Sequence, residues 1–195
     1  FSMLKACLVC ALLTAAALPV ATTAAEPAAA GVDAARGLAH GLVEQLGARL
    51  QAAIETGGPS GAVGVCAHEA PAIAGELSRR NGTKITRVSL KTRNPLLGTP
   101  DAWEQAVLVA FEERLARGEP IAWIEFAEVV REPAGEYLRY MKALPVQALC
   151  LGCHGAPESI DPKVRARLQQ DYPADRATGY RLGQIRGAIS VKQPR

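Results

Sequence analysis

Apolar residues at Ala35, Leu38, Leu42, Leu46, Leu50 and Ile54 recur every three or four positions, and Thr56-Gly57-Gly58-Pro59 interrupts the pattern. This spacing predicts a helix with one buried face that stops at the Gly-Gly-Pro break. A second helix is expected from an N-cap at Ser60 to Asn81-Gly82, with Val63, Cys66, Ala70, Ile73, Ala74 and Leu77 on its apolar face. The alternating, β-branched run Thr83 to Leu90 reads as a strand, followed by a loop from Lys91 to Gly98. Thr99 as N-cap, Pro100 at the first helical position and Asp101 as an early acid open a third helix running to Arg117, with Gly118 as its stop. Trp103, Val107, Phe111 and Leu115 repeat along it as a core stripe. Ile121 to Arg131 and Glu136 to Leu144 are two further strands around the hairpin loop Glu132-Pro133-Ala134-Gly135. Asp161-Pro162 starts a short helix to about Gln170, and Gln184 to Val191 is the last strand. The expected fold is α+β: a small, largely antiparallel sheet flanked by helices, with helices at the N-terminal end.

Between the last two predicted elements and the rest lies Cys150-Leu151-Gly152-Cys153-His154-Gly155. CxxCH is the attachment signature of c-type haem. Two cysteines one helical turn apart can each add to one vinyl group of a porphyrin, which leaves the next histidine beneath the iron. A zinc site would need four ligands, and outside the motif only Cys66, His40 and His68 offer soft or imidazole donors in the exported part of the chain. A thioredoxin-type dithiol would follow a strand in a βαβ setting, which the surrounding pattern does not provide.

Attachment of haem c outside the cytoplasm demands an export signal. Met3-Leu4-Lys5, the apolar run Ala6 to Val20 and the small residues Ala21 to Ala25 supply its three parts. Residues 1–25 are therefore expected to be a signal peptide cut after Ala25, leaving 26–195 as one c-type haem domain in the periplasm. An uncleaved anchor is the alternative, although the second half of the run is mostly alanine and threonine. Ala24 to Gly31 reads as the end of the signal and a short flexible arm. Cleavage removes Cys7 and Cys10, so Cys66 is the one cysteine outside the motif. The chain of 195 residues has a net charge of only +3, so nothing in its charge calls for nucleic acid.

Four residues are candidates for the sixth iron ligand: Cys66, Met141, His68 and His40. Cys66 lies on the apolar face of its helix, and His68 is about 200° away from it. His40 falls on the polar side of the first helix. Met141 is on a strand near the motif, where methionine is a known sulfur ligand but is more often packing. Haem also brings two propionates, for which Arg87, Lys91, Arg93 and Arg186 are candidate partners. Trp103 is a candidate wall of the haem pocket.

Cys66 with Ala70-Pro71-Ala72-Ile73-Ala74, then Arg87 through Pro95, Pro100 through Glu104, CLGCHG, and Tyr172 through Tyr180 resemble, in this order, a family of single-haem c-type proteins. The resemblance runs from about Val32 to Val191, and only Leu96-Leu97-Gly98 is a looser match. It implies a PAS-like fold, found free or as the extracytoplasmic input module of sensors. It also implies iron held by the motif histidine and a cysteine, here His154 and Cys66. The expected role is redox or gas sensing through a low-potential haem, with CO or NO as possible ligands and a separate signalling protein as partner. An electron carrier with a redox partner protein is the alternative, and a peroxidase or dithiol oxidoreductase a further one.

Overall fold

The computed structural model describes residues 25–195, so the expected signal peptide lies almost entirely outside the described residues. Among those described, no helix is long and apolar enough to cross a membrane. The first helix, α1, spans Ala25–Gly64. It takes in the segment expected to be a flexible arm, because a run of alanines has the highest helix propensity and Gly31 lies close against Leu138 of the sheet. The Gly-Gly-Pro signal survives as a break inside α1: Gly58 has φ 67° and ψ −178°, a left-handed φ that glycine adopts without a Cβ penalty. Gly58, and not Ser60, is therefore the start point of the second half, with Pro59 as its first residue.

A five-residue π-helical stretch, Val65–Glu69, follows and leads into α2, Ala70–Asn81. Gly82, at φ 59°, caps α2 in the left-handed conformation. The strands are β1 (Lys84–Val88), β2 (Glu125–Glu132), β3 (Gly135–Pro145) and β4 (Ile185–Pro194). They form one sheet of order β1-β4-β3-β2, antiparallel throughout. Ile121–Trp123, expected to begin β2, is a 3-10 turn instead. Pairing of Glu132 with Gly135 leaves only Pro133 and Ala134 in the hairpin turn. The expected loop before the third helix contains a single helical turn, α3, Pro95–Gly98. In α4, Ala102–Ala116, the N-cap is Asp101 and not Thr99, because Asp101 and Glu104 satisfy each other's backbone N–H groups in a capping box.

Alternation along the strands sends side chains to two helical layers. Ala35, Ala39 and Leu42 of α1 pack on Ile85, Tyr140, Ile189 and Val191. On the other face Val107, Leu108 and Phe111 of α4 pack on Val88, Met141, Ala143, Ile185 and Ala188. Met141 is thus a fully buried core residue packed against α4. His40 is exposed beside Glu44, and His68 is exposed on the π-helical stretch.

An ion pair fixes α1 to the sheet. Arg36 donates to Glu125 at 3.0 Å from Nε and 2.6 Å from Nη2, and the Tyr140 hydroxyl donates to the same carboxylate at 2.8 Å. The Arg36 hydrogen bond holds the Glu125 carboxyl below its usual range, against burial and with help from Tyr140. A depressed carboxylate stabilises the fold above its unfolded pKa of about 4.3, and that contribution is lost as pH falls through the lower folded value. Glu125→Gln should cost about 1 kcal/mol at neutral pH, a value limited by partial exposure, and should flatten the acid dependence. Thermal unfolding of both proteins at pH 7 and pH 3 checks this. Equal stability losses on acidification would contradict it.

Candidate functional site

The motif lies at the end of the sheet where β1 and β3 finish and β4 begins. After β3, Val146 accepts from Gly183 N–H and donates to the Gln184 carbonyl, which ties the start of the motif segment to the lead-in of β4. Cys150 ends a 3-10 turn, and Leu151–His154 forms one helical turn, α5. One turn is what brings both thiols to the same side of the chain. Gly155 must be glycine: a Cβ there would sit 2.6 Å from the Leu151 carbonyl oxygen.

The loop from Asp175 to Tyr180 runs alongside. Tyr180 N–H donates to the His154 carbonyl and Gly179 N–H to the Gly155 carbonyl. His154 Nδ1 lies 2.6 Å from the Ala177 carbonyl oxygen. A carbonyl only accepts, so Nδ1 carries the proton and Nε2 keeps its lone pair. Burial first, then the charges of Arg186 and Arg93, pushes the imidazole pKa down to about 2, with the Ala177 bond opposing. The ring is neutral and ready to act as a donor.

Cys66 reaches the same region from the π-helical stretch. Its neighbours Val63 and Ala67 pack with Cys153, Ile160, Val164, Leu168 and Tyr172. The helix α6, Pro162–Asp171, contributes two of these residues, Val164 and Leu168. Cys153 is held protonated by burial, opposed by Arg93 and reinforced by Cys66 and Cys150 nearby. Tyr172 is pushed up to about 12 by burial, and next by Cys66. The apolar face expected from helical spacing therefore divides: Val63 packs on the motif side, whereas Ile73, Ala74 and Leu77 pack against the sheet and α1. The π turn at Cys66 was not visible in that spacing; such turns recur at functional sites.

The basic residues divide into two groups. Arg186 is half-buried and lies against the imidazole: its Nε is 3.2 Å from His154 Nδ1 and 3.4 Å from Nε2, longer than the 2.6 Å between Nδ1 and the Ala177 carbonyl, and its Nη1 donates to Ser89 Oγ at 2.9 Å. Burial first, then repulsion from Arg93 and Arg87, lowers its pKa. Lys91 covers the Tyr180 ring at 5.0 Å, and Tyr180 meets His154 edge-on at 6.2 Å. A cavity of about 230 Å³ borders Ser89, Lys91, Tyr180 and Arg186. Arg87 faces the same ground, since its charge acts on His154, Tyr172 and Arg186. Among the described residues none of Arg87, Lys91 and Arg186 has a carboxylate partner.

Arg93 does not belong with them. It is 8% exposed and already paired, Nε to Asp175 at 3.0 Å. Trp103 is not a wall of this site either. Its ring lies under Arg139 at 4.3 Å and against Phe126, and its Nε1–H donates to Glu128. Sequence reasoning assigned no role to Ser89, Tyr172, Asp175, Ala177 or Tyr180. The last four sit in the Tyr172–Tyr180 block, and the block itself was the available signal.

A family model described as Tll0287-like matches residues 14–194. The chain belongs to the Tll0287-like family. Its fold is similar to a solved structure, the cyanobacterial heme-protein Tll0287, with TM-score 0.62 and 28% identity over 88% of this chain and 96% of that one. No curated protein matches in sequence.

The residues fit a covalent haem. Cys150 and Cys153 lie one helical turn apart with His154 directly after them, Cys66 lies near Cys153, and Arg87, Lys91 and Arg186 stand beside the imidazole without carboxylate partners. By contrast, among the described residues no group of three or more His, Cys, Asp or Glu side chains is arranged to hold a metal ion directly, so a zinc site gains no support.

Proposed function

We propose that this member of the family is an exported protein of the periplasm carrying one haem c, with iron between His154 and Cys66, that acts in redox or gas sensing. The observation that carries the reading is the setting of His154. Its Nδ1 is committed to the Ala177 carbonyl while Nε2 keeps its lone pair, beside three cations that lack carboxylates. A metal-ligating histidine ordinarily donates its other N–H to a carbonyl in this way. The heme-protein relative supports the same reading.

Bound haem would supply a one-electron couple. Cys150 and Cys153 would hold it as thioethers. Arg87, Lys91 and Arg186 would pair with its propionates, Arg186 turning away from the imidazole to do so. Cys66, as thiolate, is a strong anionic donor that favours the oxidised state and a low potential. Its Sγ gains affinity for a proton when the facing positive charge falls. Protonation and release of that sulfur would give CO or NO a place to bind and would pass the change to a separate signalling protein. An electron carrier would instead keep Cys66 bound in both states and hand electrons to a redox partner protein.

Protein exported from a host with haem c maturation should keep its haem after denaturation and extraction with acidified organic solvent. Haem recovered in the solvent would overturn covalent attachment. An optical redox titration repeated under CO then separates the roles: a potential that rises with CO supports sensing, and one indifferent to CO supports the carrier.

A further inference from the structure

Arg93 makes a set of contacts that propionate binding does not explain. Its Nη2 donates to the Cys153 carbonyl at 2.5 Å and lies 3.4 Å from the Ala177 carbonyl, while Nε donates to Asp175 Oδ2 at 3.0 Å. The other oxygen of Asp175 accepts from the Ala177 N–H at 2.7 Å. One buried ion pair therefore grips Ala177, whose carbonyl receives His154 Nδ1–H, through both its N–H and its C=O, and also the backbone immediately before His154. The side chains of Arg93 and Asp175 are 9% and 12% exposed, so solvent screens the pair little. Arg176 N–H donates to the Thr92 carbonyl at 2.9 Å, which joins the two loops a second time.

From this geometry we infer that Arg93, held by Asp175, is a positioning residue that fixes the tautomer and the orientation of His154. The inference rests on the reading of His154 as an iron ligand. It gives Arg93 a task that its charge alone could not perform. The guanidinium is a planar fork with five N–H donors, so it can hold a carboxylate and two carbonyls at once. Lysine carries the same charge from a single nitrogen and cannot reproduce the three directions. Without the fork, the Ala177 carbonyl is free to tilt, and the imidazole loses the bond that keeps its proton on Nδ1. The neutral ring then distributes between its two tautomers, and in the Nε2–H form the donor lone pair points away from the expected iron side.

The test uses Arg93→Lys, Arg93→Gln and Asp175→Asn in the full chain, each prepared with haem and without it. In the cofactor-free chain, nitrogen-15 NMR of the histidine side chains reads the His154 tautomer directly. The unaltered protein should show the Nδ1–H form, with a proton that exchanges slowly. Arg93→Gln and Arg93→Lys should both mix the tautomers and speed exchange of that proton about tenfold, the effect of losing one hydrogen bond of ordinary strength. In the haem-loaded protein the same two variants should shift the ferric absorption spectrum and the midpoint potential in step.

If Arg93→Lys keeps the single tautomer and the original spectrum, charge alone suffices and the inference fails. If all variants keep the tautomer, Arg93 is only a structural tie, which also overturns it. Should Arg93→Gln fail to fold, Arg93→Lys still decides, and Asp175→Asn, which releases the guanidinium from its carboxylate and loosens the Ala177 N–H, should mix the tautomers in the same way. If the unaltered chain attaches no haem, the proposed function falls, whereas the tautomer in the cofactor-free chain still reports on Arg93.

Discussion

Replacing Cys66 with alanine is expected to leave the haem attached and to remove the charge-transfer absorption of a ferric thiolate. The midpoint potential should rise on the order of 100 mV, a modest part of the ~0.8 V range that axial ligands command. Attachment survives because Cys150 and Cys153 lie on a different segment from Cys66. The direction follows from the loss of an anionic donor, which had favoured the oxidised state. Cys66→Ser should resemble Cys66→Ala, since a neutral hydroxyl does not replace a thiolate. Met141→Ala is the informative control. Met141 is fully buried among Leu108, Phe111 and Ile124, so its truncation should cost about 2–5 kcal/mol of stability and leave the spectrum alone. A spectrum altered by Met141→Ala and unchanged by Cys66→Ala would defeat the His154/Cys66 assignment.

Arg139→Ala should be the most destabilising single change at an ionised residue, at about 3–5 kcal/mol. Arg139 is 4% exposed and faces Asp101 at 2.6 Å, Glu104 at 3.4 Å and Glu132 at 3.7 Å. Glu104 is itself buried and closes the capping box of α4, so removing the cation leaves a carboxylate without compensation at the start of that helix. The Trp103 ring loses its cation at the same time. Urea unfolding measures the loss. The double variant Arg139→Met, Glu104→Gln should recover much of it, because the buried carboxylate that loses its cation is then replaced by a neutral amide that can still accept from the Asp101 N–H. A loss below about 1 kcal/mol for Arg139→Ala would show that water reaches these carboxylates and that the network is not buried in solution.

The helices and strands were legible because their periods are local. An apolar stripe at three- and four-residue spacing marks Ala35 to Ile54 whatever it packs against, and alternation with β-branched residues marks Thr83 to Leu90. The misreadings fell at ends and in short connections. Asp101 displaced Thr99 as N-cap only because Glu104 answers it, and Ile121–Trp123 turned in a 3-10 bend although its residues suit a strand. The alanine-rich start of α1 read as an arm because alanine shows no apolar contrast. Its helix is held where Gly31 meets Leu138, more than a hundred residues along the chain.

The candidate site divides in the same way. The spacing of Cys150, Cys153 and His154 carries its chemistry within one helical turn, so the sequence alone was enough to raise haem attachment and, from that, the demand for export. Cys66, half-buried in the π-helical stretch, lies near Cys153 and Tyr172, a neighbourhood that its own helix could not name. What Arg93 does could not be read, because its partner Asp175 is 82 positions away and nothing local distinguishes it from Arg87 or Lys91. Trp103 was sent to the wrong neighbourhood for the same reason: its stripe shows that it faces inward, and only the arrival of Arg139 on β3 shows what it faces. Local geometry determines which atoms can be presented together. The pairing of distant charges, each too costly to bury alone, waits on the folded chain that brings them into contact.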